Sequence, residues 1–210
     1  MNPRSVSETS IGDFLTAVAS AEEAHGAVST AAVAGGLGCS LLLMVATLPR
    51  ARSDSIDDRT KLVEAAAALS SLQEQLLETI ETETAVKVFA ARHLPQASVT
   101  QRSERQTAIQ FALRAAADVP LEVMRLCTSG LQHAKTVAKH GPRAAFTDIE
   151  LGVALLHTAF NGARSNLEAK LSSLTNAVYI KSVVEEMAQL TEDATLAASA
   201  AGASLQVPPA

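Results

Sequence analysis

His25–Leu48 reads HGAVSTAAVAGGLGCSLLLMVATL and contains no Asp, Glu, Lys or Arg. Its first half is nearly all small residues: Ala31, Ala32, Ala34, Gly35, Gly36, Gly38, Cys39 and Ser40. Ser29, Ala32 and Gly36 recur at helical spacing, as do Ala31, Gly35 and Gly38, so the faces are small rather than bulky and let a second helix approach closely. A glycine inside a helix costs about 1 kcal/mol relative to alanine, so three of them need a packing or binding reason. The stretch therefore predicts a buried central helix, opened by a loop at His25–Ser29 that can touch a ligand. A membrane span is the rival reading, because about 20 apolar residues suffice. Glu22 and Glu23 before it and Arg50 and Arg52 after it suit that rival. The weak hydrophobicity of the first half and the amphipathic pattern downstream argue for burial in protein instead.

Outward from this helix, 210 residues suffice for one domain with a real core. The chain is 48% hydrophobic but only 3% aromatic, without Trp and with one Tyr. Alanine and leucine must fill the interior, which favours closely packed helices over a sandwich or barrel. The net charge of −5, with no basic run in the sequence, argues against nucleic acid as a partner. Cys39 and Cys127 lie in apolar helical contexts and read as buried free thiols rather than a disulfide. No charged-then-apolar leader opens the chain, so a cytoplasmic location is expected.

In order, residues 1–9 read as a flexible N-terminus, residues 10–200 as a single helical domain and residues 201–210 as a disordered tail. Thr9 or Ser10 can cap a short helix with Asp13 in its first turn and Ile11, Phe14, Leu15 and Val18 facing inward. Pro49 ends the central helix. A long helix is predicted from about Ser55 to Arg92 along the stripe Leu62, Leu69, Leu72, Leu76 and Ile80. At 1.5 Å per residue it would be on the order of 50 Å long, a length that usually calls for cover by a second subunit. Residues 96–100 read as loop. The next helix starts near Gln101, is bent or broken at Pro120, and ends at Gly141-Pro142. Thr147 and Glu150 have the spacing of a capping box for a helix through Leu171, and a last helix runs from about Ala177 to Ala198. No stretch reads as a strand. The predicted fold class is all-α, a bundle of long antiparallel helices around the small-residue helix.

The five histidines show no metal-ligand spacing, so no metal site is expected, and no phosphate loop, dinucleotide fingerprint or nucleophile elbow is present. Glu81 is the acid of interest. Its helical neighbours include Leu77, Ala85 and Val88, a face on which a carboxylate can hold a raised pKa and act as general acid or base. Glu78, Glu81 and Glu83 lining a wet face is the plainer alternative. Asp148 is most simply a first-turn acid favoured by the helix dipole. Arg50 and Arg52 either bind an anion or stay solvated, and Arg164 and Asn166 either line a polar pocket or satisfy a buried backbone group.

Six segments in order resemble one family. They are IGDFLTAVAS, the small-residue helix ending LLLMVATL, the acidic long helix closing with HLP, AIQFALRAAADVPLEVMRL, GPRAAFTDIELGVALL and ARSNLEAKLSSL. Over about residues 10 to 190 the chain resembles the cyclodeaminase/cyclohydrolase family, comprising the C-terminal domain of formiminotransferase-cyclodeaminase and the bacterial methenyltetrahydrofolate cyclohydrolases. The resemblance implies an all-helical homodimer with a folate near the dimer interface and no metal or other cofactor. It also implies ammonia loss with ring closure from formiminotetrahydrofolate, or hydrolysis of the methenyl bridge. Carried over by position, it implies Glu81 and Asp148 as catalytic groups. It likewise implies His25, Gly26, Val28, Ser29, Arg50, Arg52, Arg164, Asn166 and Lys170 as ligand-binding.

Four places depart from the family pattern. The glycine-rich loop, Pro-Gly-Gly-Gly-Ser in the family, reads His25-Gly26-Ala27-Val28-Ser29, so two side chains intrude where bare backbone would meet a ligand. A lysine-rich segment becomes Pro49-Arg50-Ala51-Arg52-Ser53-Asp54, Glu81 replaces an aspartate, and Lys170 replaces an asparagine while Asn166 is kept. Three functions stay open: folate chemistry by general acid/base catalysis, the same scaffold turned to cyclisation, elimination or hydrolysis of a non-folate small molecule, or a catalytically silent binding homologue.

Overall fold

The structure, a computed structural model, describes residues 9–20, 26–49, 51, 55–80, 90, 92–95 and 98–206. Among them there is no strand. Six α-helices follow one another: α1 Ile11–Ala19, α2 Ala27–Ala46, α3 Ile56–Ile80, α4 Val99–His140, α5 Phe146–Leu171 and α6 Ala177–Leu205. The all-α expectation holds.

The central place of α2 holds as well, for the reason read from its small residues. α2 packs most extensively on α5 and α3, and then on α4. A Cβ placed on Gly38 would lie 2.8 Å from the carbonyl oxygen of Gly152 and 2.9 Å from Cγ of Leu156. The backbones of α2 and α5 therefore run in direct contact, which no side chain at Gly38 would permit. Gly35 lies against Ala159 and Gly162 against Ala31, so the two helices are antiparallel. Gly35 also meets Cys127, and Gly130 lies beside Cys39, so α2 and α4 run in the same direction. Leu42, Leu69, Leu76, Met124, Leu131, Leu156, Phe160 and Leu167 fill the interior between these helices.

α6 lies along α4 in parallel. Arg125 donates to Glu186 at 2.6 and 2.9 Å, and the Tyr179 hydroxyl donates to Asp118 at 2.6 Å. Burial, and then that hydrogen bond, push the Tyr179 phenol above its ordinary pKa, while the Arg114 guanidinium sits 4.5 Å from the ring centroid. Both cysteines are buried and free, and burial raises the Cys39 thiol to about 12 and the Cys127 thiol upward as well, which leaves both inert.

Several boundaries differ from expectation. Ser10 caps α1 by accepting from the Asp13 N–H at 3.1 Å, as predicted. Ile11 and Leu15 do not face inward, however. They are 80% and 62% exposed, and α1 buries no residue, because no other described element covers its apolar face. The long helix is described as α3, and Glu81 with the rest of 81–89 lies outside the described residues. α4 starts at Val99, inside the segment expected as loop, on a capping box in which Ser98 and Gln101 exchange hydrogen bonds at 3.1 Å. It then continues through Pro120 as one 42-residue helix. Pro120 cannot donate to the preceding turn, but Ala116, Ala117, Leu121, Val123 and Met124 around it are buried, and their packing carries the helix past the break. The Thr147–Glu150 capping box does not form. A 3₁₀ turn at Arg143–Ala145 leads into α5, which begins at Phe146 without a side-chain cap. α6 extends to Leu205 with Ala201 fully buried, so 201–205 are helix rather than tail, and 207–210 lie outside the described residues.

Candidate functional site

The N-terminus of α2 and the C-terminal end of α5 meet at one pole of the bundle. Carrying the Gly35–Ala159 and Ala31–Gly162 approaches one turn further sets Val28 level with Asn166. Gly26 is the N-cap of α2 and supplies no side-chain oxygen, so the first N–H groups of this helix point outward with the positive end of the dipole. The Thr30 hydroxyl donates back to the Gly26 carbonyl at 3.2 Å and fixes the start of the turn. Val28 and Ser29 are half-buried beside it.

From α5, Asn166 brings a buried Oδ1 that accepts no hydrogen bond. An orphaned buried carbonyl costs about 1–3 kcal/mol, so the position is held at a cost that a ligand N–H would relieve. Lys170, one turn on and half-buried, has its ammonium disfavoured by burial, which lowers its pKa. Together the helix N-terminus, the lysine and the acceptor oxygen suit a ligand that carries both an anionic group and N–H donors.

Two further expected site residues, Arg164 and Asp148, do not join this pole within one chain. Arg164 and Asn166 are two residues apart, hence about 200° apart around α5, and cannot line one pocket. Arg164 Nε is buried without a hydrogen bond, 3.8 Å from Glu168 Oε1. It belongs to a polar stripe with His157 and Asn161, whose side chains approach to 3.4 Å. Asp148 is half-buried in the first turn of α5, 18 residues and so about 27 Å along the helix from Asn166. Within one chain it cannot share a small substrate with the pole. His25, Glu81, Arg50 and Arg52 lie outside the described residues. Among the described residues no three His, Cys, Asp or Glu side chains gather where they could hold a metal ion.

A groove of about 820 Å³ lies on α4 beside this pole, lined by Glu104, Thr107, Ala108, Phe111, Ala112 and Ala115, with Ala90 opposite. The parallel register of α2 and α4 puts Val28 level with Pro120, about 8 Å along the helix from Ala115. Phe111 at its rim is 75% exposed. The sequence shows Phe111 only as one more apolar residue. The single available signal is a stripe of alanines at 108, 112 and 115, too small to fill space against a neighbour.

With this geometry in place, comparison with known proteins gives a consistent result. A sequence model of formiminotransferase-cyclodeaminase matches residues 10–189. The methenyltetrahydrofolate cyclohydrolase of Methylorubrum extorquens is 25% identical over 186 residues, covering 88% of this chain and 89% of that protein. The formimidoyltransferase-cyclodeaminase of Gallus gallus is also 25% identical, over 88% of this chain, but the match spans only 34% of that longer protein. The crystal structure of formiminotetrahydrofolate cyclodeaminase from Thermotoga maritima superposes with a TM-score of 0.85 at 21% identity, covering 96% of this chain and 98% of that one, which establishes the shared fold. On the family match, which runs over most of its length, the chain belongs to the formiminotransferase-cyclodeaminase family.

Proposed function

We propose that this chain is a cytoplasmic, homodimeric enzyme that acts on a one-carbon folate derivative at the α2 pole, by proton transfer without a metal. The unpartnered Oδ1 of Asn166, buried beside the open N-terminus of α2, is the observation that carries this reading. A reduced folate offers ring N–H donors to that oxygen and carboxylates to Lys170 and the helix end. In cyclodeamination, the anilino nitrogen next to the ring attacks the formimino carbon and loses its proton, the carbon–nitrogen bond to the departing amine breaks, and that amine takes up protons and leaves as ammonia. In hydrolysis, water adds to the methenyl carbon, loses a proton, and one carbon–nitrogen bond breaks to leave a formyl group. Either route needs a group that both takes and gives a proton, the role proposed for Glu81.

Several exposed side chains support the dimer. Leu37 and Met44 of α2 are 53% and 44% exposed on one face, Leu48 just past its end is 40% exposed, and Leu151 of α5 is also exposed. A helix face this apolar is covered in the working molecule. α2 is also the one helix among the described residues long and apolar enough to cross a membrane, but 44% of its apolar window is already buried inside its own chain. A second copy covers the outer stripe without exposing the inner one.

Val28 and the alanine-lined groove favour a second reading, a non-folate substrate with a larger apolar part. Methenyltetrahydrofolate separates the two. The first reading expects its absorbance to fall on adding protein and to persist with Glu81→Gln. Unchanged absorbance with wild-type protein, together with no ammonia release from formiminotetrahydrofolate, rules out the folate reading.

A further inference from the structure

Far from the α2 pole, the C-terminal half of α4 forms a second groove with α3 and α6, about 540 Å³ in volume and within the size range of small-ligand sites. Lys61, Lys135 and Lys139 line it, half of the chain's six lysines in a protein whose net charge is −5. Lys61 is paired with Asp57 one turn away. Among the described residues Lys135 and Lys139 have neither an ion pair nor a hydrogen bond, and one helical turn sets both on the same face of α4. Gln132 and Thr136 add polar donors between them. The acid lining the groove, Asp193, already accepts from the Gln189 amide at 3.1 Å.

His140 also lines this groove. It is buried, with its side chain 10% exposed, and its Nδ1 lies 2.8 Å from Oδ1 of Asp58. A carboxylate on one ring nitrogen fixes the orientation of the imidazole and leaves the other for a ligand. Among the described residues Asp58 is the one side chain paired with His140, through Nδ1. Lysines on a helix surface are ordinarily just solvated. Lys135 and Lys139 are exposed too, but they stand beside a carboxylate-oriented histidine in a concave site, an arrangement that can hold one anion between them.

We propose that the groove between α3, α4 and α6 binds a compact polyanion, held by Lys135, Lys139 and Nε2 of the Asp58-oriented His140. In its imidazolium form His140 donates to Asp58 from one nitrogen and to the anion from the other, adding a third cationic donor. Leu196, Ala197 and Ala200 of α6 form the opposite wall, so the anion sits beside a short apolar surface. Phosphate oxygens and carboxylate oxygens both satisfy this donor set. The site is independent of the α2 pole, because His140 lies 20 residues, about 30 Å, along α4 from the level of Val28.

Titration calorimetry of the full chain with inorganic pyrophosphate and with citrate tests the site. Wild-type protein is expected to bind at least one of them with a dissociation constant below about 1 mM, and the tighter of the two tells whether phosphate or carboxylate is preferred. The double substitution Lys135→Ala with Lys139→Ala should weaken binding by about tenfold or more. His140→Asn keeps an N–H for Asp58 but removes Nε2, and should weaken binding severalfold. Lys181→Ala, which removes one of the two charges lost in the double variant but from an exposed position paired with Glu185, should leave binding unaltered. Absence of binding of either anion to wild-type protein, or equal losses in the Lys181 and groove variants, overturns the proposal. Lys135 and Lys139 are exposed, so their variant stays informative even where the histidine variant fails to fold.

Discussion

Gly38→Ala adds one methyl group at the closest approach of α2 and α5. The new Cβ would lie 2.8 Å from the Gly152 carbonyl oxygen, 2.9 Å from Leu156 Cγ and 3.2 Å from the Leu156 backbone nitrogen. Two of these three obstacles are backbone atoms in the facing helix, which cannot rotate away, so the helices themselves must part. Overpacking of this kind costs about 1–3 kcal/mol, and the backbone obstacles place Gly38 toward the upper end. Alanine returns about 0.8–1 kcal/mol of helix propensity, leaving a net loss of about 1–2 kcal/mol. Gly36→Ala is the internal control, because no described atom lies within 4 Å of the added Cβ. It keeps the propensity gain and should stabilise by up to about 1 kcal/mol. Gly35→Ala should fall between them, its nearest neighbours being Cys127 Sγ at 3.1 Å and Leu76 Cδ1 at 3.3 Å, both side-chain atoms able to shift. Urea denaturation with a common slope ranks the three variants, and in melting temperature each 1 kcal/mol is worth about 2–4 °C for a chain of this size. Gly38→Ala as stable as Gly36→Ala would refute the direct contact of α2 with α5.

Asn166→Leu removes the orphaned carbonyl and should raise the melting temperature while abolishing folate binding, and a variant that loses stability would show that the amide is satisfied after all. Leu37→Glu or Met44→Glu should convert the dimer to monomer in sedimentation velocity, whereas an unchanged sedimentation coefficient would place the subunit contact elsewhere. His133 is half-buried, and burial lowers its pKa from the ordinary value of 6.5. The unfolded chain therefore binds this proton first, so the stability His133 contributes is present above 6.5 and is lost as pH falls through 6.5 toward the folded value. Between pH 7.5 and 5 the melting temperature of His133→Asn should fall less than that of wild type, and equal falls would remove His133 from the account. Ser98→Ala, which breaks the capping box of α4, should cost about 1 kcal/mol in urea denaturation.

Small residues made the fold legible. A run with Gly35, Gly36 and Gly38 and no charge reads best as a rod pressed against other rods, and Gly38 against Gly152 is that contact. Helix ends were readable in part: the Ser10 cap of α1 was legible, while the Ser98 capping box of α4 fell inside an expected loop and the uncapped start of α5 at Phe146 left no signal. Pro120 misled because its local cost is certain while the packing that overrides it comes from other helices. The site was legible only in part. Val28, Ser29, Asn166 and Lys170 share a pole because α2 and α5 are antiparallel, a relation that positional likeness cannot supply. Asp148 and Arg164 were named beside them by that likeness, and within one chain helix length and helical phase separate them from the pole. The lysine groove left no trace in the sequence, since Lys61 lies more than seventy residues from Lys135 and no basic run marks it.

Hydrogen–deuterium exchange with and without methenyltetrahydrofolate tests the central claim most directly. Binding at the α2 pole predicts slowed exchange in peptides spanning residues 26–32 and 163–171, with the far ends of α4 and α5 unaffected. Protection confined to residues 132–150, or no protection anywhere, would contradict it.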